Sequence, residues 1–336
     1  LITAVRCALA GHQVTVLERG AIPDPGSSSF DQHRALRALD PHDLEGTRRA
    51  APAHRLWLEL QALLCGAGAG FYRRVGVVTG WPGEQVTAVA GVAEQAGLPV
   101  DLVEPDELAH LRFPAGCRGV LERDAGVLLA DRVLQAAAQW LARQPTVRLR
   151  PGCAVSSVDT ETGRVVLADG TVEQGDLVLI AGGPWSGSLV DLPTVLYRQT
   201  MVYLRPPEEL ARWWDTAPSA GRIGADGRSW LLPSGDGTLL KISTDAACRE
   251  VPDLDGDDDE PRWVERIMAA GILPGLDRYT VAGVKQCHYA VDASTGRAQL
   301  VRVGPAVWAR AASGGDGFRS APLVADQIVD ALSPAQ

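Results

Sequence analysis

Three sets of side chains in this sequence have types and spacings that could do chemistry. The first is a carboxylate at a strand end. Residues 13–17 alternate and are β-branched, and they run into Glu18, Arg19 and Gly20. In a βαβ nucleotide-binding unit a carboxylate at that place hydrogen-bonds ribose hydroxyls. The Gly-rich turn that cradles the pyrophosphate belongs about 20 residues earlier. Only 17 residues precede Glu18 and none of residues 1–10 is Gly, so we expect that strand and turn to lie before Leu1. On its own, Glu18 reads equally as the solvated end of an ordinary strand. The second set is guanidinium: Arg34 and Arg37 early, Arg319 late. Two such forks can hold one carboxylate through charge-assisted bonds. Spacing alone favours a blander reading, with Arg37 as a surface charge and Arg319 as a turn cap. Arg34 would share Arg37's face if this stretch were helical. The third set is two Gly-rich turns, Gly182-Gly183-Pro184-Trp185-Ser186 and Gly314-Gly315-Asp316-Gly317. The second precedes a helical segment, where backbone N–H groups can face an anionic or carbonyl oxygen.

These groups need elements to position them. A short apolar helix is expected over 2–9, a helical region over 44–64, a strand over 75–78 and helices over 84–95 and 105–111. The amphipathic stretch 131–142 reads as a helix with Asp131 in its first turn. Short strands follow at 147–150, 154–158, 165–167 and 177–181, with Asp169-Gly170 as a hairpin turn signal. The apolar run 177–181 suits a buried parallel strand, and it enters the first Gly-rich turn, as a doubly wound sheet does at its cofactor. From 196 to 289 the pattern shifts to longer strands, 201–204 and 239–243, which implies a second, antiparallel region. Residues 307–310 and a helix over 321–332 close the chain.

Composition narrows the function classes. The 336 residues, 46% hydrophobic and 22% charged, suit an ordinary globular α/β protein of one or two domains. A net charge of −9 argues against nucleic-acid binding. Six cysteines are scattered without a Cys-x-x-Cys pair, which indicates neither a zinc site nor a dithiol motif and favours reduced thiols in a cytoplasm. No apolar run approaches the ~18 residues a membrane span requires, so no membrane partner is expected. The acidic run 253–260 fails as a calcium loop. Its sixth position is Asp258 rather than Gly, and its twelfth is Val264 rather than Glu.

In this order and spacing, several pieces resemble the FAD-dependent amine and amino-acid oxidases of the monomeric sarcosine oxidase type. They are Glu18; Ser28-Ser29-Phe30-Asp31-Gln32-His33-Arg34-Ala35-Leu36-Arg37; residues 124–128; residues 181–186; Leu240-Lys241-Ile242; Lys285-Gln286-Cys287-His288-Tyr289; and Ser313 to Arg319. The resemblance implies an FAD-binding Rossmann-like (βαβ) domain of α/β class with a second, mixed or antiparallel-sheet substrate domain. The FAD domain would comprise 1–70, 124–191 and 290–336, and the substrate domain 71–123 and 192–289.

The resemblance also implies roles. Arg37 and Arg319 would bind the substrate carboxylate, with Arg319 standing where Lys is commoner. Arg34 would lie beside the flavin ring and steady its reduced, anionic form. Cys287 would form a thioether with the flavin, helped by a positive neighbourhood; by default it is an inert buried thiol. Lys241 would assist the reaction with O2, although Leu239, Leu240 and Ile242 around it leave its facing open. Tyr289 and Trp230 would line the pocket. Glu18, Arg19, Gly182, Gly183, Trp185, Gly314, Gly315, Gly317 and Phe318 would contact FAD, and no metal is implied. Phe30 and Asp245 replace histidines usual in the family, which points to a substrate other than sarcosine. The expected reaction turns a secondary amine or amino acid into an imine, with O2 reoxidising the flavin to give H2O2. The alternatives are a dehydrogenase with another acceptor, a flavin-free remnant, and an NAD-dependent dehydrogenase. The last shares Glu18 but leaves residues 285–289 unexplained.

Overall fold

The computed structural model describes residues 1–255 and 260–332. The part of the acidic run at 256–259 therefore lies outside the described residues. A parallel pair, Val14–Leu17 beside Val147–Arg150, carries the strand end at Glu18. Three helices, Ile2–Leu9, Ala130–Leu141 and Ala321–Leu332, share a core containing Val5, Val133, Ala137, Leu141 and Ala325. Arg6 and Asp326 tie the first of these helices to the last at 2.7 Å. A second small sheet places Val178–Ile180 parallel to Val307–Ala309, as its unbroken apolar run implied. The hairpin at Asp169-Gly170 forms between Arg164–Leu167 and Val172–Gln174. Gly170 takes φ 84° there, a conformation costly for other residues.

The dominant element is a nine-stranded sheet. From one edge its order is Cys248–Glu250, Thr194–Arg205, Leu240–Thr244, Ser229–Leu232, Ser219–Ile223, Val77–Pro82, Cys117–Glu122 and Val100–Val103. Thr280–Asp292 covers the other side of Thr194–Arg205. Every pairing is antiparallel except Ser219–Ile223 beside Val77–Pro82, which makes the sheet mixed. One face is apolar: Val202, Leu204, Leu231, Leu240 and Ile242 form a buried core with Trp214 and Ile267.

Three local expectations are corrected. The helical region 44–64 is two helices, Leu44–Ala50 and Ala53–Cys65. Pro52 lacks the N–H that a continuous helix requires, yet it is at home at a helix start. Asp43 caps the first of them by accepting from Gly46 N at 2.7 Å. The helix over 105–111 shrinks to one 3-10 turn, Pro105–Leu108. Arg34–Leu36 is a strand antiparallel to Gly126–Leu128, so Arg34 and Arg37 do not share a helical face.

Candidate active site

The polar face of the large sheet collects the candidate residues. Leu239 precedes the strand Leu240–Thr244 and gives its N–H to Gln32 Oε1 at 2.7 Å. Alternation inside the strand is therefore clean. Leu240 and Ile242 enter the apolar core, while Lys241 and Ser243 face the other way. Cross-strand register places Tyr203 opposite Lys241, Trp230 opposite Ser243, and Gln199 opposite Cys287. Lys285, Cys287 and Tyr289 alternate onto that same face.

The early loop lies over this face. Ser28 Oγ donates to His288 O at 2.7 Å, and Lys285 Nζ donates to Phe30 O. Lys241 Nζ donates to His33 O at 2.7 Å and to Asp31 Oδ2 at 2.9 Å. Asp31 Oδ1 accepts from Tyr203 Oη at 2.5 Å and from Gln32 N at 2.7 Å, and Arg34 donates to Oδ2. The Lys241 and Asp31 side chains are 2% and 1% exposed, against 17% for Arg34. Burial opposes Asp31's charge, but Lys241, Arg34 and the Tyr203 hydroxyl outweigh it and hold the carboxyl far below its usual range. Burial also lowers Lys241 to about 8, with Arg34 adding to the shift and Asp31 opposing it.

Asp31 and His33 are site residues that sequence reasoning passed over. His33 is fully buried, and neither ring nitrogen has a partner. Burial, then Lys241, hold its ring neutral. The loop's histidine thus stands three positions after Phe30, where one was looked for.

Cys287 lies within the field of Arg34, Lys241 and Lys285, so the positive neighbourhood is present. Burial nevertheless dominates and pushes its thiol up, against the expected thiolate. Tyr289 stacks on Tyr197 at 5.6 Å and its hydroxyl meets Cys248 Sγ at 3.1 Å. Asp245 starts a 3-10 turn after the strand and is exposed.

A second cluster is a corner with like charges. Arg37 and Arg319 are close enough that Arg37, after burial, is the next cause lowering Arg319 to about 10. Arg37 donates to Leu39 O at 2.8 Å, and Arg319 reaches Asp316 only at 3.6 Å. Among the described residues no carboxylate forms an ion pair with Arg37. Glu122, buried, accepts from the amides of Ala38 and Leu39 at 2.9 and 3.1 Å and from His54 Nε2 at 2.7 Å, which fixes the chain just after Arg37. Phe318 stacks on Trp57 at 5.8 Å.

At the strand-end region the Arg19 guanidinium lies 4.2 Å over Trp185, joining Glu18's neighbourhood to the first Gly-rich turn. Glu18 Oε1 accepts from Gly20 N at 3.1 Å, which leaves its other oxygen for a ligand. A Cβ at Gly183 or Gly315 would meet nothing within 4 Å, so the backbone is open at those two positions, whereas Gly314 and Gly317 are packed against Asp316 and Ser313. That open backbone, a strand-end carboxylate and a cationic face fit a dinucleotide carrying a redox ring.

A family model described as FAD dependent oxidoreductase (DAO) matches residues 1–331. The chain belongs to that family. It is 23% identical over 222 residues to mouse (Mus musculus) peroxisomal sarcosine oxidase, covering 60% of this chain and 54% of the mouse protein. The chain thus aligns with about half the length of that curated relative. Among solved structures, L-proline dehydrogenase from P. horikoshii superposes with a TM-score of 0.80 at 18% identity, over 99% of this chain and 90% of that one. A modified fructosyl peptide oxidase from Aspergillus nidulans superposes at 0.79 and 17% identity, over 98% and 86%. At these identities the two structures show a shared α/β fold. Among the described residues there is no cluster of potential metal ligands, and no helix is long and apolar enough to cross a membrane.

Proposed function

We propose that this oxidoreductase removes hydride from the carbon beside the nitrogen of a secondary amine or amino acid, leaving an imine that hydrolyses, and that O2 takes the electrons to give H2O2. The observation that carries the reading is the Arg37–Arg319 corner. Two guanidiniums from opposite ends of the chain lie within electrostatic reach of each other, and Arg319 has Asp316 at 3.6 Å as a partial counter-charge. Like charges held together favour an anion between them, and a carboxylate matches their geometry.

The proposed division of labour follows the sequence boundaries: 1–70, 124–191 and 290–336 bind FAD, while 71–123 and 192–289 form the substrate lobe. Glu18 would hold the ribose, with Arg19 and Trp185 beside it. Gly182, Gly183, Gly314, Gly315 and Gly317 would let the backbone approach the cofactor closely. Bound there, FAD supplies the acceptor for the substrate's hydride. Arg37 and Arg319 orient the substrate by its carboxylate, so that the amine end points towards the polar sheet face. Trp230 and Tyr289 would bound that end. Arg34, the most exposed member of its cluster, would face negative charge gathering on the ring. Cys287 is the proposed attachment point.

The test is anaerobic. Candidate amino acids should bleach the FAD-loaded protein, and Arg37→Ala should raise KM for a carboxylate substrate about 10- to 100-fold, the worth of a charged hydrogen bond. The decarboxylated amine should be affected far less. Equal effects on both substrates would remove Arg37 from the role. Acid precipitation should give a yellow pellet with the natural chain and a colourless one with Cys287→Ser. A colourless pellet from both would reject the thioether and leave the oxidation intact.

A further inference from the structure

We propose that Asp31 restrains Lys241 and thereby slows the passage of electrons from the reduced cofactor to O2. This rests on the function proposed above and concerns only its second half. In that half two electrons and two protons leave the reduced cofactor, and O2 becomes H2O2. Asp31 is not consumed; it acts as a positioning residue through Lys241.

A cation speeds this step when it meets the charge that develops on dioxygen as the first electron arrives. Lys241 is poorly placed to do so. Its ammonium is countered by Asp31 Oδ2 at 2.9 Å and donates a second proton to His33 O at 2.7 Å. The chain's own atoms cover it to 2% exposure. The carboxylate is equally fixed. Tyr203 and Gln32 occupy one oxygen, Lys241 and Arg34 the other, which uses its acceptor sites. Dioxygen is neutral and brings no charge with which to compete for the lysine. The field that reaches it from Lys241 is weakened by a carboxylate 2.9 Å away, although Arg34 shares that carboxylate and keeps the group's net charge positive. The family resemblance implies a role towards O2 for Lys241 and none for Asp31. The carboxylate that engages it comes from the early loop, 210 positions away in the sequence.

The experiment separates the two half-reactions. FAD-loaded protein is reduced anaerobically by substrate or by dithionite, then mixed rapidly with O2. Turnover with an indophenol dye, a quinone-imine that takes the same two electrons, runs in parallel. With Asp31 in place, Lys241→Met should change the oxygen rate constant less than about threefold, whereas loss of a free, well-aimed donor costs about 10²–10³. Asp31→Asn, assayed at a pH low enough to keep Lys241 protonated without its partner, should raise the constant at least about tenfold, since it removes the countering charge. The double variant should fall back to the natural rate. A hundredfold loss in Lys241→Met, or no gain in Asp31→Asn, overturns the proposal. A readout independent of turnover is acylation of Lys241 in the cofactor-free chain, followed by mass spectrometry. Labelling should be slow in the natural protein and severalfold faster in Asp31→Asn; equal labelling also overturns it. If Asp31→Asn fails to fold, Lys241→Met alone still decides. Should no amine bleach the cofactor, the proposed function fails, while dithionite reduction and the labelling still report on Asp31.

Discussion

The two cationic clusters of this protein are built in opposite ways. Around Asp31, two cations and a phenol converge on one buried carboxylate and leave almost nothing exposed. At Arg37 and Arg319, two cations share a corner in which Asp316 stands 3.6 Å from Arg319 and, among the described residues, no carboxylate pairs with Arg37. Saturation fixes geometry; deficit invites a ligand. The same residue types serve both ends, so the placement of acidic groups, rather than the count of arginines, separates scaffold from binding site.

The contrast breaks most readily at the saturated cluster. Asp31→Ala should cost about 3–5 kcal/mol of unfolding free energy, because it leaves two buried cations unpaired. Denaturant titration checks this, and replacing Lys241 by Met in the same chain should recover part of the loss. The deficit corner should behave in reverse: Arg37→Ala should weaken substrate binding as stated above while stability stays within about 0.5 kcal/mol. A mild gain would sharpen the contrast further, since one of two repelling charges is gone.

Acidity gives a smaller test. Lys241 is lowered to about 8 from an ordinary 10.5. Between those values the unfolded chain holds the proton more firmly than the folded one. Stability should therefore rise with pH from about 8 to 10.5, by at most about 1.4 kcal/mol per unit from this group. Below 8 the cost of burying the ammonium is present in full. Urea midpoints measured across that window should climb in the natural chain and flatten in Lys241→Met. A flat profile in both would mean that the ion pair with Asp31 holds the proton in place throughout.

Local patterns carried much of the fold. The apolar run at 178–180, the Asp169-Gly170 hairpin and the helix Ala321–Leu332 all follow from periodicity and turn chemistry. Lys241 was visible as a residue, but its facing was not. Leu239 and Leu240 read as two consecutive strand positions, whereas Leu239 lies just before the strand. Asp31 left no local signal at all. Its meaning comes from Tyr203 and Lys241, which lie 172 and 210 positions away and reach it only through tertiary folding. Arg34 and Arg37 misled in a related way, since a three-residue spacing suggests one face only in a helix, and the backbone there is extended.

The early loop's attachments have a consequence for biosynthesis. Residues 28–33 are anchored to partners at 239, 241, 285 and 288. Contacts spanning so much chain are closed late and slowly. A ribosome will have released most of this polypeptide before the loop has anything to dock on. Until then its aspartate and histidine remain in water, and the reactive centre is among the last parts of the molecule to mature.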